Sequence, residues 1–299
     1  MITVRVPATS ANMGPGFDSI GIALAVYNTI SVEETDSGLE IDILDGSAEF
    51  LPRDGRNLVY RAMQRVFNEA GYKMRGLHIV LNNGIPVTRG LGSSSASIVG
   101  GILAANEICN ARMSRDDIIS FAASIEGHPD NTTPAIMGGM VIAVLSGGKA
   151  YYQKIPIDGD KIKFAIFLPN FILRTKKARS VIPKVIPHSD GVFNTGRAAL
   201  LTASMITGNY DNLKIAFDDR LHQQYRKKFI SGMSEIFEKA YDCGALGTYV
   251  SGAGPAIISL IRAEDENSFS KNMSKFFEEE MNDWELTVTG PDDNGALLI

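Results

Sequence analysis

Apolar positions along this chain change period several times, and the changes mark out its elements. Residues 2–6 and 20–34 alternate or run apolar as strands do, with a turn rich in glycine, proline and serine between them. Over 57–70 the residues Leu58, Met63, Val66, Phe67 and Ala70 recur at helical spacing, and Gly71 follows as a stop. Residues 76–82 read as a strand that runs into a glycine loop. From Ser95 to Ile108 the residues Ile98, Val99, Ile102, Leu103 and Ile108 predict a helix. A further helix over 114–126 and a strand over 138–145 complete the first half. The polar, turn-rich stretch 147–162 reads as an approximate junction. Beyond it the pattern predicts a strand at 163–170 and helices at 193–207, 211–217 and 228–243. A glycine turn within 247–261 feeds a strand (AIISLI). The last residues, WELTVTGPDDNGALLI, read as two strands joined through a turn at Asn294-Gly295. Strands mixed with helices in no strict βαβ rhythm predict an α+β fold, divided into units of 1–155 and 156–299.

Composition narrows the class. With 44% hydrophobic and 21% charged residues among 299, the chain can bury a sizeable core. Its net charge of −5 gives no global attraction to nucleic acid or to an anionic membrane, so neither is expected as a partner. No apolar run approaches the ~18 residues of a membrane span. The N-terminus lacks a charged segment followed by an apolar one, so it does not read as a signal peptide, and a cytoplasmic location is expected. Cys109 and Cys243, with His78, His128, His188 and His222, fall in no zinc-binding spacing, and two free thiols are expected. A homodimer would be unremarkable.

The segment IPVTRGLGSSSAS (Ile85–Ser97) lies between a predicted strand and a predicted helix. Gly90 and Gly92 allow close backbone approach, and Ser93, Ser94 and Ser95 fall where the helix begins. Unpaired amides, hydroxyls and the positive end of the helix dipole together form an anion cradle. A serine-capped glycine turn is the plainer reading. No lysine follows Gly92, so this is not a Walker A loop, and GLGSSS lacks the third glycine of a dinucleotide fingerprint.

The pattern P-x-x-x-G-L-G-S-S-S-A (Pro86, Val87, Thr88, Arg89, Gly90, Leu91, Gly92, Ser93, Ser94, Ser95, Ala96) resembles the phosphate loop of the GHMP kinases. Two more stretches resemble that family: PATSANMGPGFD (Pro7–Asp18) and GAGPA (Gly252–Ala256). The resemblance therefore spans nearly the whole chain. It implies a two-domain fold, with an N-terminal domain like domain 2 of ribosomal protein S5 and a ferredoxin-like C-terminal domain. The first would carry nucleotide and part of the substrate site; the second would supply arginines and the glycine turn. It also implies ATP and Mg²⁺ as cofactors, with Ser94 and Glu126 as metal ligands. Asn57 would border the base, and Gly254 would lie in a loop closing near the phosphates.

Within the family, SANMGPGFD, GHPDN (Gly127–Asn131), TKKAR (Thr175–Arg179) and DRLHQQYR (Asp219–Arg226) are similar to the homoserine branch. That similarity implies phosphorylation of L-homoserine to O-phospho-L-homoserine, a step in threonine biosynthesis. It places Asn12, Asp18 and His128 at the amino acid, with Arg179 and Arg226 as a carboxylate clamp, the role a guanidinium fork suits. Taken singly, Asp18 is equally a turn residue, His128 a structural one, Glu126 a helix-end charge, and both arginines solvated basic positions. Asn131 stands where several relatives carry a catalytic aspartate. An amide accepts no proton, so the reading favours an enzyme that aligns the hydroxyl without a dedicated base, with Asp130 as the rival candidate. Kinases of other small hydroxyl compounds, such as isoprenoid precursors, and a non-catalytic sensor of the same fold are the alternatives.

Overall fold

The computed structural model describes all residues, 1–299. In chain order the first half contains β1 (Ile2–Ala11), β2 (Ile20–Thr35), β3 (Gly38–Ile43), α1 (Leu58–Glu69), β4 (Gly76–Asn83), α2 (Ser93–Ile108), α3 (Arg115–Glu126), α4 (Pro129–Met137), β5 (Met140–Ser146) and β6 (Lys149–Ile155). The second contains β7 (Ile162–Pro169), α5 (Thr175–Arg179), α6 (His188–Thr207), α7 (Leu213–Ala216), α8 (Gln223–Arg226), α9 (Met233–Asp242), β8 (Gly247–Val250), β9 (Ile257–Arg262), α10 (Glu266–Glu280), β10 (Trp284–Thr289) and β11 (Leu297–Leu298).

The first sheet runs β11-β1-β2-β4-β3, with β5 paired to the start of β2 and β6 to β5. β3 and β4 are parallel and connected through α1, whereas the other pairs are antiparallel. Helices α2 and α4 lie against β1 and β2, and α1 and α3 pack on α2. The phosphate-loop segment is the link from the end of β4, an interior strand, to the start of α2, so the sheet and the helix together hold it in place.

The second sheet has the order β10-β7-β9-β8, all antiparallel. Strand–helix–strand–strand–helix–strand in that order is the ferredoxin-like arrangement. Its two central strands, β7 and β9, read as continuous apolar runs because both of their faces are covered. In β7, Phe164 and Ile166 join the main core while Ala165 and Phe167 face α9 and α10; in β9, Ile258 and Leu260 divide from Ile257 and Ile261 in the same way. That split follows directly from the two-residue period of a strand.

Several elements differ from the sequence expectation. The stretch 147–162 is not all turn: β6 forms a hairpin with β5, and its alternating exposed positions hide it as a polar segment. β3, β8, α4 and the 15-residue α10 were not expected. The helix expected at 228–243 begins only at Met233. β10 and β11 do not form a hairpin, because β10 pairs β7 while β11 pairs β1. Asp292 makes that change of sheet: its Oδ1 accepts the amides of Asn294 and Gly295, its Oδ2 accepts from Tyr27, and its backbone bonds Ala23 and Gly139. No helix is long and apolar enough to cross a membrane.

Phe167 is fully buried and packs against Phe269 and Phe277 at ring distances of 6.3 and 5.6 Å. Phe167→Ala is expected to cost about 3–5 kcal/mol, read as a lower midpoint in thermal or urea unfolding. A midpoint equal to that of the unmodified protein would refute this account of the second core.

Candidate active site

The loop after β4 meets α2 at Gly92, whose φ of +70° places the chain in the left-handed region. A Cβ there would sit 2.0 Å from Thr9 Oγ1, so only glycine fits. Gly92 offers no side chain to cap the helix, and the amides of the first turn are left for a ligand. Gly92, Ser93, Ser94 and Ser95 line a cavity of about 340 Å³. Ser95 is buried and its Oγ has no protein partner. A buried orphan hydroxyl beside free amides and the positive end of a 16-residue helix is a site for phosphate oxygens.

The rest of the loop divides by role. Val87, Thr88, Arg89 and Gly90 also line the cavity. Leu91 and Ala96 are buried in the main core and hold the loop rather than face the cavity. Pro86 lies at the start of the loop and does not line it. The turn at 252–255 closes on this loop: Ser251 Oγ donates to the Gly90 carbonyl, and the Ala256 amide donates to that of Arg89. Gly254 touches Gly90 without lining the cavity, whereas Gly252 and Ala253 do line it.

At the other end, Phe50, Leu51, Pro52, Leu58, Leu81 and Val87 give an apolar wall suited to a base. The sequence reading missed Phe50, Leu51, Pro52 and Leu81. An apolar pair before proline in an otherwise polar loop was the available signal. Asn57 lines the same wall, but its hydrogen-bonding groups are engaged, capping Val59 and donating to the Pro52 carbonyl.

Charged groups from both sheets converge below the loop. Asp18 binds Arg179 through two hydrogen bonds, of 2.5 and 3.0 Å. Arg226 is 1% exposed and has no carboxylate within ion-pair distance. Its Nη1 donates to His222 and to the Gly252 carbonyl, while Nε has no partner. Burial and the nearby Arg179 charge lower its pKa to about 10. Asn12, at φ +70°, donates to the Gly252 carbonyl and accepts from the Asp18 amide, so it ties the N-terminal motif to the glycine turn. His128 Nδ1 lies 2.5 Å from Asp130 Oδ1. Burial opposes the charge of that ring, but the hydrogen bond and charge of Asp130, with Glu126 nearby, outweigh it and raise the pKa. Asn131 Oδ1 accepts the Thr9 hydroxyl at 2.9 Å.

Two ligand sets in this cleft could hold a divalent cation. Ser94 Oγ lies 3.3 Å from Glu126 Oε2, which joins a hydroxyl and a carboxylate at the head of α2. Asp18, His128 and Asp130 also cluster within 4.8 Å, but they are engaged with Arg179 and with each other. The Ser94–Glu126 pair is the freer set and fits a hard cation at the phosphates.

A phosphate cradle facing a pocket of paired and unpaired guanidinium groups defines a small-molecule phosphotransferase. The family profile described as GHMP kinases N terminal domain matches residues 57–139, and that described as GHMP kinases C terminal matches 198–279. A curated homoserine kinase from Clostridium botulinum is 47% identical over 100% of this chain and 99% of its own. One from Caldicellulosiruptor saccharolyticus is 48% identical over 100% and 97%. The crystal structure of homoserine kinase from Cytophaga hutchinsonii superposes with a TM-score of 0.87 at 29% identity, covering 100% of this chain and 97% of that one. L. major mevalonate kinase, at 16% identity and a TM-score of 0.72 over 96% and 95%, shares the fold. The chain belongs to the GHMP kinases, within their homoserine kinase branch.

The His128–Asp130 pair makes stability depend on pH. The imidazole pKa is raised on folding, so the stabilisation is full below the unfolded value of about 6.5 and is lost as pH rises through the folded value. The difference in thermal midpoint between the unmodified protein and His128→Gln should therefore narrow from about pH 6 to about pH 9. A difference that widens would refute the assignment.

Proposed function

We propose that the protein transfers the γ-phosphate of ATP to the hydroxyl of L-homoserine, giving ADP and O-phospho-L-homoserine. One observation carries the acceptor: Arg179, paired with Asp18, and the buried Arg226 line the same cavity as the phosphate cradle, with Asp18 just behind its wall. A zwitterion has the matching charges. Its carboxylate pairs with Arg226 and Arg179 and its ammonium with Asp18, so every charge freed from the pair regains a partner. A carboxylate lacking an ammonium, as in mevalonate, leaves Asp18 without one. The names of the curated relatives support the same reading.

In this reading the adenine rests on the apolar wall between Phe50 and Val87, and the amides and hydroxyls of Ser93, Ser94 and Ser95 hold the phosphates. Ser94 and Glu126 hold Mg²⁺, which when bound offsets charge on the phosphate oxygens. His128 and Asn12 border the amino acid. Asp130 is engaged with His128 and Asn131 is an amide, so no free carboxylate stands ready to accept a proton. The substrate hydroxyl forms its bond to the γ-phosphorus as the bond to the β,γ-bridging oxygen breaks. ADP departs, and the hydroxyl proton passes to a phosphoryl oxygen or to solvent. Positioning and charge stabilisation then carry the rate.

A coupled ADP-release assay tests the acceptor with L-homoserine, mevalonate and galactose. Turnover is expected with L-homoserine alone, and none with it would sink the proposal. For the chemistry, Asp130→Asn is expected to keep kcat within about tenfold, whereas a fall of about 10²–10⁴-fold with normal substrate binding would identify Asp130 as a base. In the same assay Glu126→Gln should raise the Mg²⁺ concentration needed for half-maximal rate, and an unchanged dependence would remove Glu126 from the metal site.

A further inference from the structure

We infer that His222 is a positioning residue, one that fixes the orientation of Arg226 for the substrate carboxylate by presenting an unprotonated Nδ1 to it. The inference rests on the homoserine reading above and adds a residue that lines no part of the cavity.

The ring of His222 stands at the start of α8 and is completely buried. Its Nε2 lies 2.7 Å from the Gly14 carbonyl oxygen, and its Nδ1 lies 2.9 Å from Arg226 Nη1. A guanidinium only donates and a carbonyl only accepts, so the pair of contacts admits a single tautomer. Nε2 carries the hydrogen and donates to Gly14, and Nδ1 accepts from Arg226. Phe17 stacks on the ring at 5.2 Å, and the guanidinium groups of Arg179 and Arg226 lie 5.5 and 5.6 Å from the same phenyl ring. Phe17 thereby covers one face of the imidazole, and the two hydrogen bonds fix its edge.

The consequence falls on Arg226. Its Nη1 is held by two acceptors, His222 Nδ1 and the Gly252 carbonyl, which come from different parts of the chain. Its Nε is left without a protein partner. A long side chain with many rotamers is thus restrained before any ligand arrives. Protonation of His222 would set an N–H against the guanidinium and undo this. The charged groups facing the ring are Asp219, whose Oδ2 lies 3.7 Å from Nε2, Arg226 on α8 and Asp18 in the N-terminal motif. Asp219 is occupied by the amides of Leu221, His222 and Gln223 and by the side chain of Asn194. Burial dominates, and with the Arg226 charge it lowers the pKa of the ring to about 4, so it stays neutral at ordinary assay pH.

Two variants separate positioning from space-filling. His222→Leu keeps much of the volume but loses both hydrogen bonds. His222→Gln has a carbonyl to accept from Arg226 and an amide to donate to Gly14. Losing a hydrogen bond to a charged group is expected to raise KM for L-homoserine about 10–100-fold in His222→Leu, with KM for ATP and kcat changed less than about threefold. His222→Gln should recover most of that loss. An unchanged KM for L-homoserine in folded His222→Leu overturns the inference, as does a Gln variant no better than Leu, or a parallel rise in both KM values. Nitrogen chemical shifts of ¹⁵N-histidine in the unmodified protein give a check that needs no variant: His222 should be the Nε2–H tautomer, and an Nδ1–H signal refutes the inference. Failure of the unmodified protein to turn over L-homoserine would instead count against the homoserine reading, so the two failures are distinguishable.

Discussion

A fully buried guanidinium that meets no carboxylate is the constraint around which this cleft is built. Arg226 is held by a carbonyl from the glycine turn and by the ring of His222, which is itself held by the Gly14 carbonyl. Three segments more than 200 residues apart at their extremes are thereby locked together. Such a charge is costly to bury without an opposite partner, and its lowered pKa reflects that cost. The protein's own dipoles compensate part of the charge and leave the remainder for an anionic ligand. Asp18 and Arg179, by contrast, compensate each other in the free protein.

The two sheets make this convergence possible. The first sheet and α2 present an uncapped helix start, and the turn after β8 closes on it through Ser251 and Ala256. β7 and β9 are covered on both faces, and the turn at 252–255 is anchored at each end by buried residues. The final residues cross back to the first sheet through Asp292, so the chain ends by joining the two layers. The helix start and the charged groups of the cleft therefore line one cavity to which both layers contribute.

Much of the fold was legible along the chain. The helices at 58–69 and 93–108 and the strands at 76–83 and 162–169 follow from strong, regular apolar patterns. What escaped notice had weak or misleading patterns. β6 alternates exposed polar residues and reads as a turn, and α4 carries Pro134 in its interior, which normally argues against a helix. Within the site, motif-bearing residues such as Ser94, Glu126, Asp130 and Arg179 gather at one cavity. Phe50, Leu51 and Pro52 carry no motif, and only their packing places them there. His222 was visible in its motif, but a lone histidine reveals neither its partners nor its tautomer.

By itself the sequence determined the α+β class, the phosphate loop and the family, because these rest on local periodicity, on turn chemistry and on residues close together in the chain. The tertiary structure alone decided which charges meet. Asp18 lies 161 residues from Arg179, and Gly14 lies 208 from His222. Ion pairing, burial and tautomer choice depend on distance in space and on access to water, and no pattern along one chain encodes those. The loop could be recognised as a phosphate cradle from its residues. The opposite charges beside it, Asp18 and Arg179, meet only because the fold brings them together.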